Sequence, residues 1–80
     1  MKKMKVGHVW VRLDDFFYKK LHRMNWRIRI VNKQFDVYII KTTRGGAKYK
    51  SSIQDEIQGE KGSKFADGNT LNCQLDNLIF

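Results

Sequence analysis

The sequence contains no proline, a single cysteine and no long hydrophobic run. With Cys73 as the only thiol, no internal disulfide can form, so the composition does not indicate an oxidising compartment. A membrane-spanning helix needs about 20 consecutive apolar residues, and no run approaches that length. The basic first ten residues lack the apolar stretch and small-residue cleavage site of a secretory signal. We therefore expect a cytoplasmic protein with no membrane partner.

Acidic side chains are scarce in the first part of the chain. Residues 1–50 carry 14 Lys and Arg against 3 Asp and Glu, whereas residues 51–80 carry 2 against 5. The two parts have net charges of +11 and −3, and the whole chain carries +8. A basic half of this kind is typical of proteins that bind a polyanion, most often nucleic acid. The alternative interpretation is that the charges only keep the surface solvated.

The length allows one small domain. A chain of 80 residues lies near the lower limit for folding on a single hydrophobic core. The 41% of hydrophobic residues is sufficient for such a core. We therefore treat residues 1–80 as a single domain, with a basic part at 1–50 and a second part at 51–80.

Alternation of apolar and polar residues predicts a strand near the N-terminus. The stretch His8–Leu13 places its aliphatic side chains on one face and Trp10 and Arg12 on the other. The two aspartates that follow can cap a helix that runs to about Met24, since carboxylates suit the free N–H groups of a first turn.

A three-stranded antiparallel sheet is predicted for the middle of the chain. Trp26–Val31 alternates, Asn32–Gln34 fits a hairpin turn, and Phe35–Thr42 is rich in β-formers. The Gly pair in Arg44–Gly46 permits a tight turn, after which Lys48–Lys50 extends the sheet.

Two short helices are predicted for the remainder, one over Ser51–Gln58 and one over Leu71–Leu78, with a turn at Asp67–Asn69 between them. The fold class is therefore α+β: a small antiparallel sheet of about three strands with an N-terminal helix and a short C-terminal helix.

The C-terminal segment contains a recognisable motif. The segment DGNTLNCQLDNL at Asp67–Leu78 resembles the DGNxxxNxxxxNL core of HNH homing endonucleases of phages and mobile elements. Upstream, LDDFFY at Leu13–Tyr18, followed by Leu21 and Trp26, is similar to the LDDEDYxxLxxxxW opening of phage HNH proteins. The order and spacing of the two motifs agree, so the resemblance covers residues 9–78. It implies a ββα-metal fold, in which a hairpin and a helix hold one divalent cation.

The residues that carry catalysis in this family are replaced. In HNH enzymes an Asp-His pair precedes the DGN by one intervening residue; the Asp binds the metal, and the His is the general base towards water. Lys64 and Phe65 occupy these two positions. Asn77 matches the Asn that orients the His, and the His of an earlier HR segment aligns with Lys50 or Ser51. The resemblance therefore implies a degenerate ββα-metal scaffold with no catalytic residue, no metal and no cofactor.

The chain also ends before the last metal ligand of the family would appear, and its remaining histidines and cysteine do not restore a site. His8 and His22 lie far in sequence from any carboxylate pair with ligand spacing. A catalytic thiol needs a His partner and an electropositive setting, so we interpret Cys73 as a small core residue. We expect that the protein is not an enzyme.

Basic residues on alternating strands indicate where nucleic acid would bind. If the polar sides of the strands coincide, they form one basic face with aromatic side chains among the charges, while Trp26 is interpreted as a core residue. Arg and Lys would contact phosphates, and an Arg could bind a guanine edge; DNA is favoured over RNA. The predicted contacts are Trp10, Arg12, Arg27, Arg29, Arg44, Lys48 and Lys50.

Two other functions remain open. The chain could be a small inhibitor of phage or mobile-element origin, for example an anti-CRISPR protein, that binds a host nuclease or another host protein. Surface apolar residues such as Phe16, Ile79 and Phe80 would suit that interface or a homodimer, although they would equally suit ordinary packing. A truncated relic with no selected role is the third interpretation.

Overall fold

A computed structural model describes residues 1–79, so Phe80, predicted as a surface residue, lies outside the described part. The elements in chain order are β1 (Lys2–Val6), β2 (Val9–Leu13), α1 (Asp15–Leu21), β3 (Arg27–Val31), β4 (Gln34–Thr42), β5 (Lys48–Ser52), α2 (Ile53–Gln58), β6 (Lys64–Phe65), a 3-10 turn (Leu75–Asn77) and β7 (Leu78–Ile79). The strands form antiparallel sheets with the orders β1-β2, β3-β4-β5 and β6-β7. The α+β class is confirmed, with smaller sheets beside the predicted three-stranded one.

The predicted first strand is β2, and it pairs with a strand that the sequence analysis did not predict. In β1, Met4 and Val6 alternate with lysines and lie opposite Val11 and Val9 of β2. Only two apolar residues mark this alternation, which is why the lysine-rich segment was not recognised as a strand. The turn between the strands needs Gly7, whose φ is +60° and whose Cα lies so close to β3 that an added Cβ would be 3.3 Å from Ile28.

The β3–β4–β5 sheet forms as predicted. Arg27 lies opposite Tyr38 and Ile28 opposite Val37, so the aliphatic side chains of β3 and β4 lie on the same side of the sheet. The connecting residues, Asn32 and Lys33, have φ values of 51° and 64°. Two successive positive φ angles are those of a type I′ hairpin turn, whose twist matches that of the strands it joins.

Helix α1 begins where predicted and ends one turn earlier. The carbonyl oxygen of Leu21 accepts hydrogen bonds from the amide of Met24, at 3.1 Å, and from the indole N–H of Trp26, at 2.8 Å. These two donors replace the amide of Asn25, which would continue an α-helix. Trp26 is half-buried against the core, which confirms its interpretation as a core residue.

The core draws on most elements of the fold. Its buried members come from β1, β2, α1, β4, α2 and the C-terminal segment. They are Met4, Val6, Val11, Leu13, Leu21, Val37, Ile53, Ile57, Cys73 and Leu78. Burial raises the pKa of the Cys73 thiol to about 12, so this cysteine is a protonated core residue, as the sequence indicated.

The predicted C-terminal helix over Leu71–Leu78 is wrong. This segment instead runs parallel to β2: the amide of Arg12 donates to the carbonyl of Leu71 at 2.8 Å, and the amide of Cys73 donates to the carbonyl of Arg12 at 2.9 Å. The amide of Leu75 then donates to Asp14 Oδ2 at 2.7 Å. The free edge of β2 supplies the hydrogen bonds that a helix would have made internally, and one 3-10 turn remains.

Asp67 and Asn77 close the C-terminal segment on itself. Asp67 Oδ1 accepts the amide of Asn69 at 2.8 Å and Nδ2 of Asn77 at 2.9 Å, and Asp67 Oδ2 accepts Nδ2 of Asn72 at 3.2 Å. Asn77 also donates to the carbonyl of Asn72 at 2.9 Å and accepts the amide of Asp67 at 3.2 Å. The backbone bond from Asn69 and the side-chain bonds hold the pKa of Asp67 below its usual value. The DGN-type motif therefore has a structural function here.

Replacement of Asn77 by Ala should destabilise the protein by about 2–3 kcal/mol, because it leaves the carbonyl of Asn72 and the amide of Asp67 without partners near a buried position. Urea unfolding followed by circular dichroism measures the change. The matched control is Asp76→Ala at the exposed neighbouring position, where we expect a change within about 0.5 kcal/mol. Equal effects of the two substitutions would contradict the structural role of Asn77.

Candidate nucleic-acid interface

The β3–β4–β5 sheet has one side on the core and one side open. Residues directly opposite each other on neighbouring strands share a side, so the register defines the set that lies away from buried Val37. We call this set the open face: Arg27, Arg29, Val31, Gln34, Asp36, Tyr38, Ile40, Thr42, Lys48, Lys50 and Ser52. Four of the seven predicted contacts, namely Arg27, Arg29, Lys48 and Lys50, are thus brought together.

Asp36 organises the centre of the open face. Its Oδ2 accepts a hydrogen bond from Arg29 Nε at 2.8 Å and from Lys50 Nζ at 2.9 Å. Both cations also lie beside Tyr38: the Arg29 guanidinium carbon is 5.5 Å and Lys50 Nζ 5.8 Å from the ring centroid. These contacts restrain two long side chains on the open face, which lowers the entropy they would lose on binding a ligand.

The ionisation of Asp36 depends on the same contacts. Partial burial raises the pKa of its carboxyl, but the hydrogen bonds from Lys50 and Arg29 and the charges of those residues outweigh burial, so the pKa lies below its usual value. Asp36 is therefore ionised at neutral pH and compensates one positive charge of the open face.

Three other predicted cations have no acidic partner within residues 1–79. Arg27 and Lys48 lie on the open face near opposite edges, on β3 and β5. Arg44 lies in the turn between β4 and β5 and is exposed. With Arg29 and Lys50, they make five cations against one carboxylate, so this surface has a net charge of +4.

Trp10 and Arg12 do not lie on this sheet. They belong to β2, where Lys3 lies opposite Arg12 and Lys5 opposite Trp10. The Nζ atom of Lys5 is 5.9 Å from the centroid of the Trp10 ring, and Trp10 is 54% exposed. These four residues form a second basic surface, which we call the hairpin face. The sequence analysis missed Lys3 and Lys5 because it did not predict β1; the alternation of Lys with Met4 and Val6 was the available signal.

The positions that the sequence resemblance aligned with HNH catalytic residues have ordinary structural environments. Lys64 is exposed in β6, and Phe65 is half-buried against the core. Asn77 binds Asp67 and the backbone. His22 stacks on Tyr18 with 4.9 Å between the ring centroids, and His8 is exposed.

Comparisons with protein-family models, with curated proteins and with solved structures give no match for this chain. Across residues 1–79, no group of three or more His, Cys, Asp or Glu side chains is placed to hold a metal ion. None of the helices in that range is long and apolar enough to cross a membrane.

Replacement of Asp36 by Asn should reduce the acid sensitivity of the fold. Because the folded-state pKa of Asp36 is lowered, its ionised form stabilises the protein above the unfolded-state pKa of about 3.9, and this contribution disappears as the pH falls through the folded-state value. We expect Asp36→Asn to cost about 1 kcal/mol or less at pH 7 and this cost to shrink as the pH falls below the unfolded-state pKa. Urea unfolding at a series of pH values measures both quantities.

The control is Asp76→Asn, since no ion pair or side-chain hydrogen bond of Asp76 occurs within residues 1–79. A constant difference between Asp36→Asn and the wild type from about pH 7 to pH 2 would contradict the role assigned to the Asp36 carboxylate.

Proposed function

We propose that this chain is a non-catalytic nucleic-acid-binding module, with DNA as the favoured ligand, built on a degenerate HNH scaffold. The single observation that supports it most is the concentration of five cations and one carboxylate on the open face and its adjoining turn. Such a surface attracts the phosphates of a duplex and releases counterions when it binds them.

The hydrogen bonds of Asp36 with Arg29 and Lys50 suit this role because they orient the two cations and leave most of their N–H donors free. Arg29 uses Nε for Asp36, and the four N–H groups of its two terminal nitrogens remain for phosphate oxygens or for O6 and N7 of a guanine. The ring of Tyr38 makes cation–π contacts with both cations. The major groove of a duplex, about 12 Å wide, admits a β-ribbon, and β3–β4 with its type I′ turn has that form.

The non-catalytic part of the proposal depends on two replacements. Phe65 cannot accept a proton from water, and Lys64 places a positive charge where the scaffold's divalent cation would bind. The preference for DNA follows from the substrate of the enzymes that the sequence resembles. Trp10 and Arg12, on the hairpin face, would supply additional contacts, with the exposed indole available for stacking.

Replacement of both Arg27 and Lys48 by Ala should weaken duplex binding about tenfold or more at low salt, because two unpaired cations of the open face are lost. The slope of log K against log salt should fall by about 0.9 for each phosphate contact removed. Fluorescence anisotropy of a labelled random-sequence duplex at several salt concentrations measures both effects.

The charge-matched control is Lys19→Ala with Lys61→Ala, which removes two exposed lysines outside the open face. We expect the control to retain most of the affinity and the full salt slope. Equal losses in the two double variants would indicate a non-specific effect of net charge, and absence of binding by the wild type at low salt would remove the proposed function.

A second candidate function, inhibition of a host protein, is favoured by a separate surface. Phe16 and Leu75 are 70% and 49% exposed, and they line a shallow groove with Phe17, Asp14 and Asp76. An apolar patch flanked by carboxylates suits a protein partner better than a phosphate backbone, since the carboxylates repel phosphate.

Replacement of both Phe16 and Leu75 by Ser should abolish the stoichiometric capture of a host protein if the inhibitor function is correct, because the exposed apolar contacts are removed without loss of a buried side chain. Pull-down from host lysate followed by mass spectrometry measures capture. The same variant should bind duplex DNA as the wild type does. Capture that persists in the variant would exclude this groove as the interface.

A further inference from the structure

A second groove, unrelated to the Phe16 surface, lies between the tip of the β3–β4 hairpin and the C-terminal segment. Its volume is about 370 Å³, and its lining comes from residues 31–37, from α2 and from residues 63–70. This volume falls at the lower end of the range of about 300–1,000 Å³ that is typical of small-molecule sites. Nothing in the proposed phosphate contacts uses this groove.

Two phenylalanines from different elements line the groove. Phe35 of β4 is on the same side of the sheet as buried Val37, two residues away, but lies beyond the edge of the core and is 37% exposed. Phe65 of β6 is half-buried and packs against the core. A rigid aromatic ring with an accessible face is the usual stacking platform for an unpaired base.

Ser63 supplies an unpartnered polar group in the same lining. The residue is only 8% exposed, and its amide donates to Asp55 Oδ1 at 3.3 Å. Its Oγ is buried and has no hydrogen-bond partner within the part of the chain that the structure describes. A buried hydroxyl without a partner destabilises the fold, so a ligand towards which the Ser63 side chain rotates to form a hydrogen bond would recover that cost.

The rest of the lining combines amide groups with a nearby cationic surface. Gln54 and Asn32 contribute side-chain amides, which present donors and acceptors of the kind that pair with base edges. Asp36 belongs both to the lining and to the open face, where it holds Arg29 and Lys50. The groove and the open face lie on opposite sides of the sheet and meet at Asp36, in the part of β4 that β5 does not pair and that is therefore an edge.

We propose that this groove binds a single unpaired nucleobase, stacked on Phe35 and Phe65 and hydrogen-bonded by Ser63, while the backbone of the same strand passes around the edge of β4 and a neighbouring phosphate contacts the open face. The inference rests on the proposed nucleic-acid function and adds a preference for single-stranded or locally unpaired substrate. The combination of two aromatic rings with amide and hydroxyl groups favours a base over an apolar peptide side chain, which is the alternative occupant.

The test compares three labelled ligands of the same length, about 12 nucleotides, by fluorescence anisotropy: a single strand, the corresponding abasic strand and a duplex. The wild type should bind the single strand more tightly than the abasic strand. Phe35→Ala should lower single-strand affinity about 5- to 150-fold, the range for loss of one base stack, and leave duplex affinity unchanged. The control is Phe16→Ala, an exposed phenylalanine outside this groove, which should change neither.

Ser63→Ala provides a second variant that does not depend on the aromatic packing. Removal of an unpartnered buried hydroxyl should leave the thermal unfolding temperature equal to or above that of the wild type. Single-strand affinity should nevertheless fall about fivefold, the loss of one hydrogen bond. If Phe35→Ala proves to be unfolded, the single-strand affinity of Ser63→Ala tests the base site by itself.

The failure of this inference can be distinguished from the failure of the proposed function. Equal affinity for the natural and abasic strands, or unchanged single-strand affinity in both variants, overturns the base site while duplex binding by the wild type preserves the phosphate-binding function. A wild type that binds none of the three ligands overturns both.

Titration with a free nucleoside, which carries no phosphate, checks the location independently. In an amide-resolved NMR spectrum, the signals of Phe35, Ser63 and Phe65 should shift. Shifts confined to other residues, or larger shifts at these three signals with an apolar tripeptide than with the nucleoside, would overturn the assignment of the groove to a base.

Discussion

The pairing of the C-terminal segment with β2 is the interaction on which the rest of the fold depends. The amide and carbonyl of Arg12 bind the carbonyl of Leu71 and the amide of Cys73, which places the acidic part of the chain against the basic part. Val11, Leu13 and Cys73 are completely buried, and two of these three residues belong to β2. A domain of 80 residues buries a limited fraction of its surface, so it cannot lose this strand contact and retain a core.

Charge repulsion explains why a carboxylate lies within the cationic open face. Neighbouring positive charges repel each other and destabilise a compact state. Asp36 offsets that repulsion between Arg29 and Lys50 and also fixes their geometry. The open face thus carries one positive charge fewer, and the repulsion within the sheet is lower. On the core side of the same sheet, Lys41 is paired with Glu56 of α2, so the cations without acidic partners are concentrated away from the core.

Local patterns predicted the parts of the structure that local physics determines. The alternation in β3 and β4 was sufficient for the sheet and for the common side of Arg27 and Arg29, because side chains in a strand alternate with a period of two. The segment 71–78 was predicted wrongly since its tertiary partner, the edge of β2, cannot be seen in a local pattern. The sheet to which Trp10 and Arg12 belong could not be predicted either, because it depends on their pairing with β1. The groove combines Phe35 with residues about thirty positions later, a contact that no local pattern encodes.

The residues of the C-terminal motif that agree with the HNH core have structural functions in this protein. Asp67, Asn72 and Asn77 form the hydrogen-bond network that closes the segment, whereas Lys64 and Phe65 stand where the resemblance would require a metal ligand and a general base. Loss of the network would leave buried polar groups unpaired, so the fold itself constrains Asp67 and Asn77, whereas it places no such constraint on exposed Lys64.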